Sequence, residues 1–267
     1  MAEREIVACL GSSTTAGKGQ AFDWIGELAR RLQNARFEFR NFGVGGDLAF
    51  NALARVDDVV AARPDRVIVV IGSNDVLATV FPLLRRVYGL TKGLRGRPSA
   101  PRFEADLTAI VRRLKHETGA AIALASLAEV GEAPGSGDPA QAALTRLYTE
   151  YRDIIRRVAG AERVIYLPFY ETFHAALAAE PGRAFTQFNP LAFYRDTFRF
   201  FVQHWNGEQI AAANGWKFHV DGIHLNRRGG AMLMDLVQAF LDRPLGALRA
   251  ADEDAGDEHQ KAADHDL

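Results

Sequence analysis

Short uninterrupted apolar runs alternate along the chain with stretches in which apolar residues recur every three or four positions. The runs are Glu5–Gly11, Arg36–Phe42, Arg66–Gly72, Ala120–Leu127 and Arg163–Pro168, rich in Val, Ile, Leu, Ala and Phe. They show little two-residue alternation, which predicts strands buried on both faces of a parallel sheet. Phe103, Leu107, Ile110, Val111 and Leu114 fall on one stripe of a helix. Phe22–Leu32, Ala52–Val60 and Leu144–Val158 read as further helices. A last one follows Asn226, a suitable N-cap, and presents Met232, Leu233, Leu236, Val237, Phe240 and Leu241. Strands alternating with helices predict an α/β fold with a mostly parallel central sheet. Two stretches break the rhythm. Glu132–Pro139 contains Pro134, Gly135, Ser136, Gly137 and Asp138 and predicts a loop. Phe169–Trp216 reads as an insertion before the last helix, crowded with Phe185, Phe188, Phe193, Tyr194, Phe198, Phe200, Phe201 and Trp205. From Ala251 the chain is acidic with almost nothing apolar, which predicts a disordered tail. The expected organisation is one domain over 1–250, with the aromatic insertion at about 169–216 and the tail at 251–267.

Composition narrows the class. With 48% hydrophobic and 24% charged residues in 267, the chain is neither wholly disordered, collagen-like nor a coiled coil. Thirty-two basic against 33 acidic residues give a formal charge of −1, without the global electrostatic footprint of a nucleic-acid binder. The local run Arg85, Arg86, Lys92, Arg95 and Arg97 reads as a solvated face. Cys9 is the single cysteine, so no intramolecular disulfide forms, and its apolar neighbours mark it as a small buried hydrophobe. Met1-Ala2-Glu3-Arg4-Glu5 lacks the basic region and long apolar stretch of a signal peptide. No segment approaches the ~18 apolar residues of a membrane span. A cytoplasmic protein without stable membrane insertion is therefore expected.

Ligands of open α/β sheets bind beyond the carboxyl ends of the strands. After the first run stands Gly11-Ser12-Ser13-Thr14-Thr15-Ala16-Gly17. A serine at a strand-to-helix turn, close to free backbone N–H groups, suits a nucleophile or a phosphate cradle. Gly17-Lys18 is followed by Gly19, not the Ser or Thr of a Walker motif, and Thr15 stands where a nucleophile elbow needs Gly. Asn41-Phe42-Gly43-Val44-Gly45-Gly46-Asp47 follows the second run; its glycines suit a tight turn or close approach to a ligand. Leu48 breaks the dinucleotide pattern there. Gly72-Ser73-Asn74-Asp75 follows the third, where a side-chain amide can meet an oxyanion or cap a helix. Before the last helix comes His219-Val220-Asp221-Gly222-Ile223-His224. A carboxylate three residues from a histidine can orient a general base; with His219 the same residues could instead ligate zinc. His116, His174, His204, His259 and His265 stand apart from these blocks.

Taken in order, these four blocks resemble those of the SGNH (GDSL-type) hydrolases, over roughly Ile6 to Leu241. The resemblance implies a three-layer flavodoxin-like fold and a serine esterase or lipase that cleaves carboxylic esters or thioesters through an acyl-enzyme. It assigns Ser13 as nucleophile and Asp221 and His224 as acid and base. Ser13, Gly46 and Asn74 would form the oxyanion hole, and no cofactor or metal is implied. Ser12 stands where that family usually has Asp, and position selects Ser13 over Ser12. The partner implied is a small acyl ester; no oligomeric state is specified. The aromatic insertion reads either as a lid or acyl pocket, or as packing. If it lines the site, medium-length acyl chains should exceed acetyl by about tenfold or more. Two other classes fit the residues: a non-catalytic flavodoxin-like module holding a small ligand or phosphate, and a metal-dependent hydrolase on His219, Asp221 and His224.

Overall fold

A computed structural model describes residues 4–17 and 21–249. The segment 251–267, expected as a disordered tail, lies outside the described residues. The first strand, β1 (Glu5–Gly11), leads into α1 (Ser13–Ala16) and α2 (Trp24–Ala29). Next come β2 (Phe37–Gly43), α3 (Ala49–Leu53), α4 (Val56–Ala61) and β3 (Arg66–Val70). Helices α5 (Ser73–Val80), α6 (Pro82–Lys92) and α7 (Ala100–Thr118) precede β4 (Ala121–Ala125), and α8 (Pro139–Ala161) precedes β5 (Ile165–Leu167). Helices α9 (Phe169–Ala179), α10 (Pro190–Phe201), α11 (Gly207–Asn214) and α12 (Arg227–Leu241) follow. The strands form one parallel sheet in the order β2-β1-β3-β4-β5.

Successive residues of a strand point to opposite faces, and here both faces are buried. Ala8, Leu10, Val67, Val69, Ile122 and Leu124 pack against α3, α4, α7 and α8. Their neighbours Val7, Cys9, Ile68, Val70 and Ala123 pack against α2, α9 and α12. This division explains why the strands read as continuous apolar runs. Burial lifts the Cys9 thiol well above its ordinary pKa, so it stays protonated in the core. Arg66 is buried at the start of β3; it meets Glu5 at 2.8 Å and donates to the Phe240 and Arg243 carbonyls at the end of α12.

Several elements differ from the sequence expectation. The stripe expected over Ala52–Val60 is two short helices, α3 and α4. The loop Glu132–Pro139 stops one residue early, because Asp138 Oδ1 accepts from Ala140 and Gln141 and Pro139 opens α8. The aromatic insertion contains α9, α10 and α11. Helix α10 is turned inside out: Leu191, Tyr194, Phe198 and Phe201 are exposed, while Asp196 is buried and accepts from Arg195, Arg199 and Asn214. These exposed aromatics therefore do not fill a core. Phe185, by contrast, is buried edge-on against Phe81. In the expected basic patch, Lys92 pairs with Asp47 and Arg85 and Arg97 cap carbonyls of α5, whereas Arg86 and Arg95 are exposed.

Candidate active site

The carboxyl ends of three adjacent strands deliver the first three blocks. Ser13 begins α1 after β1. Ser12, just before it, is 3% exposed, whereas Ser13 is only partly buried. The turn is held by Asn41 of β2, whose Nδ2 donates to the Thr15 carbonyl at 2.9 Å. After β2 the chain turns through Gly46 at φ +79°, a conformation that favours glycine. A Cβ built at Gly46 would lie 2.9 Å from Lys92 Cε, so α6 closes over this turn. Among the described residues, the Ser13 and Gly46 N–H groups meet no acceptor. After β3, Asn74 lies buried in the first turn of α5, its Nδ2 donating to the Asp47 carbonyl at 2.8 Å. Asp47 is itself braced: Arg55 holds Oδ2 at 2.7 Å and Lys92 holds Oδ1 at 2.8 Å.

The fourth block is a pinched loop. His219 bridges Leu225 in antiparallel fashion, and the Val220 N–H donates to the His224 carbonyl at 2.7 Å. Gly222 turns at φ +90°, where a Cβ would lie 2.5 Å from the Trp216 ring. Asp221 Oδ2 meets His224 Nδ1 at 2.8 Å, and Asp221 Oδ1 accepts from the Ile223 and His224 N–H groups. A cleft of about 20 Å³ brings together the first, third and fourth blocks, whereas Gly46 of the second does not line it. Ser13 and Asn74 line it, with Ile223 and Leu225 on either side of His224 in sequence and apolar Val70, Leu127 and Phe169. A second cavity of about 350 Å³ adjoins Asp221 and Ile223 and is lined by Asn189, Arg195, Asp196, Asn214 and Trp216 among others.

Burial alone would raise the Asp221 carboxyl; the His224 charge and the hydrogen bonds from His224 and Ile223 outweigh it and hold its pKa at about 2. Burial likewise opposes the charged form of His224, but Asp221 overcomes it and lifts the imidazole above 6.5. The Asp221 pKa is lowered, so its contribution to stability is present above pH 3.8 and is lost as pH falls through about 2. That of His224 is raised, so its contribution is full below 6.5 and fades as pH rises through the folded-state value. A histidine acting as base must be neutral. Activity should therefore climb along a limb whose midpoint lies above pH 6.5, and Asp221→Asn should move that midpoint down. A pH profile of kcat/KM for both proteins checks this; an unmoved midpoint would mean that another group titrates.

His219 does not join the pair. It is buried between the Phe173 and Trp216 rings, its Nδ1 3.0 Å from Glu132 Oε1. Among the described residues no group of three His, Cys, Asp or Glu stands together to hold a metal ion. Sequence reading missed Glu132, left in a loop by its Gly- and Pro-rich neighbours. Buried, it accepts from the Lys217, Phe218 and His219 N–H groups and so pins the base of the Asp221–His224 loop. Its neighbour Glu129 is likewise buried and pairs with His174, outside the cleft. Tyr88 was also missed; its hydroxyl donates to Asn74 Oδ1 at 2.8 Å. A carboxylate or phenol at a lone position carries no motif, and only tertiary structure reveals these roles.

The model of the GDSL-like Lipase/Acylhydrolase family matches residues 9–232. No curated protein matches the chain significantly. Among solved structures, it is similar to Axe2, an acetylxylan esterase from Geobacillus stearothermophilus, with a TM-score of 0.61 and 16% identity over 91% of this chain and 96% of that one. The acetyl xylan esterase AlAXEase has a TM-score of 0.58 and 18% identity over 88% of this chain and 98% of its own. LAE5, an alpha/beta hydrolase from the metagenome of Lake Arreo, Spain, has a TM-score of 0.58 and 18% identity over 90% and 95% of the two chains. At these identities the likeness speaks for the fold. Among the described residues no helix is long and apolar enough to cross a membrane.

Proposed function

The chain belongs to the GDSL-like lipase/acylhydrolase family and is an ester-hydrolysing enzyme; from that premise we propose that it is a serine esterase releasing a short acyl group, acetyl above all, from a polar alcohol. Ser13 Oγ attacks the ester carbonyl while His224 takes its proton, and Asp221 holds the imidazole and stabilises the imidazolium that forms. The Ser13 and Gly46 N–H groups and the free Nδ2 proton of Asn74 receive the oxyanion. His224 then protonates the leaving alcohol, and water, activated the same way, releases the acid from the acyl-enzyme. Ser13 and not its buried neighbour Ser12 faces the cleft, which supports this choice of nucleophile.

The observation that carries the reading is the 2.8 Å Asp221–His224 pair, set on a loop whose flanking residues share a cleft with Ser13 and Asn74. The cleft's size supports the acyl preference. At about 20 Å³ it is a narrow site with room for a small group beside Ser13 and Asn74. The larger cavity beside Asp221 offers guanidinium, carboxylate and amide groups with one indole, a lining suited to a hydroxyl-bearing alcohol such as a sugar. Axe2 and AlAXEase, both acetylxylan esterases, share this fold.

Rates on 4-nitrophenyl acetate and hexanoate test the proposal. Acetyl should exceed hexanoyl by about tenfold or more in kcat/KM, and both activities should vanish after fluorophosphonate treatment. Equal rates would remove the acyl assignment; activity that survives the reagent would remove the serine mechanism.

A further inference from the structure

We propose that Tyr88 is a positioning residue that holds the Asn74 amide in the plane needed to receive the oxyanion; this rests on the oxyanion role given to Asn74 above. The χ2 torsion of an asparagine has a broad energy well, so one hydrogen bond leaves the amide free to rock. An oxyanion donor must stay within a few tenths of an ångström of its place. Asn74 is gripped at both ends. Its Nδ2 gives one proton to the Asp47 carbonyl at 2.8 Å, which settles which end is nitrogen, since a flipped amide would set two carbonyl oxygens against each other. Its Oδ1 accepts from the Tyr88 hydroxyl, also at 2.8 Å. Two anchors define a plane, and the second Nδ2 proton is left for the cleft that Asn74 shares with Ser13.

The anchor itself is rigid. Phe81 and Leu84 bury the first turn of α6 in the main core. Lys92, one turn beyond Tyr88, reaches Asp47 Oδ1 at 2.8 Å, so a single helix face braces both the Asn74 amide and the Gly46–Asp47 turn. Burial, reinforced by the nearby Asp75, pushes the Tyr88 phenol above its ordinary pKa, so the hydroxyl keeps the proton it donates. Tyr88 does not itself meet the reacting atoms in this scheme.

A double-mutant cycle tests the assignment. Tyr88→Phe removes only the hydroxyl and should lower kcat by roughly tenfold, with KM and the unfolding temperature unchanged. Asn74→Ala should lower kcat by roughly 10²–10³. In the Asn74→Ala background, Tyr88→Phe should change kcat by less than about twofold, because nothing remains to be positioned. A Tyr88→Phe enzyme with wild-type kcat, or one whose loss recurs undiminished in the Asn74→Ala background, overturns the positioning role. An Asn74→Ala enzyme with wild-type kcat instead overturns the oxyanion assignment on which that role depends.

Discussion

Alanine at Ser13 is expected to lower kcat by on the order of 10⁶-fold while leaving the unfolding temperature where it was. The nucleophile, base and acid act as one unit, so losing the attacking oxygen forfeits the covalent route entirely; what remains is binding and the oxyanion donors. The fold should tolerate the change, because Ser13 is only partly buried and α1 is held from β2 by Asn41. Ser12 supplies the control. It is 3% exposed and its side chain makes no capping bond, so Ser12→Ala should keep kcat within about tenfold. Mapping the fluorophosphonate adduct by peptide mass gives the same answer independently. An adduct on Ser12, together with an inactive Ser12→Ala enzyme, would shift the first block by one residue.

Glu132→Ala should produce the largest loss of stability, about 3–5 kcal/mol. The wild-type carboxylate is fully buried and accepts from three consecutive backbone N–H groups and from the His219 ring. Removing it strands those donors in the core, where each unmet group costs about 1–3 kcal/mol. For a chain of this length the unfolding temperature should fall by roughly 10 °C or more. Burial works to raise the Glu132 pKa, but the His219 ring and the backbone donors more than offset it and keep the carboxyl below its ordinary range. A lowered carboxyl stabilises above its unfolded pKa of 4.5 and ceases to as pH falls through the folded value. The wild-type and variant melting curves should therefore converge in acid. Glu132→Gln keeps an acceptor oxygen and should lose less. Thermal unfolding from pH 3 to 8 checks all three points, and equal melting temperatures at neutral pH would show that the carboxylate is not what holds the loop.

The fold was largely readable because its strands are buried on both faces. Val67, Ile68, Val69 and Val70 could all be apolar only if each face met a helical layer, and the residues divide accordingly. The positions of three of the expected blocks follow from the same sheet, whose strand ends fix where Ser13, Gly46 and Asn74 emerge. What stayed hidden depends on context. The run Arg85, Arg86, Lys92, Arg95 and Arg97 suggested a solvated face, yet Tyr88 and Lys92 of α6 reach Asn74 and Asp47. Helix α10 inverts the usual rule because the buried Asp196 carboxylate collects its own donors, which aromatic crowding alone could not reveal. Its opening pair, Asn189 capping and Pro190 following, was a legible start signal that the aromatic crowding obscured.

The layer formed by α2, α9 and α12 is assembled from the two extremities of the chain, with Trp24 and Leu28 packing in the same cluster as Val237 and Phe240. Synthesis from the ribosome must therefore leave one side of the sheet only partly covered until α12 appears. Arg66, waiting on the carbonyls at the end of α12, can find its partners only then. Closure over so long a span is slow, and an exposed apolar sheet invites association in the meantime. His224 also arrives just before α12, so the machinery that would cleave an ester is completed in the same late step that shields the nascent chain. Premature termination anywhere before that helix should yield a sticky, silent fragment and never a weakly active enzyme.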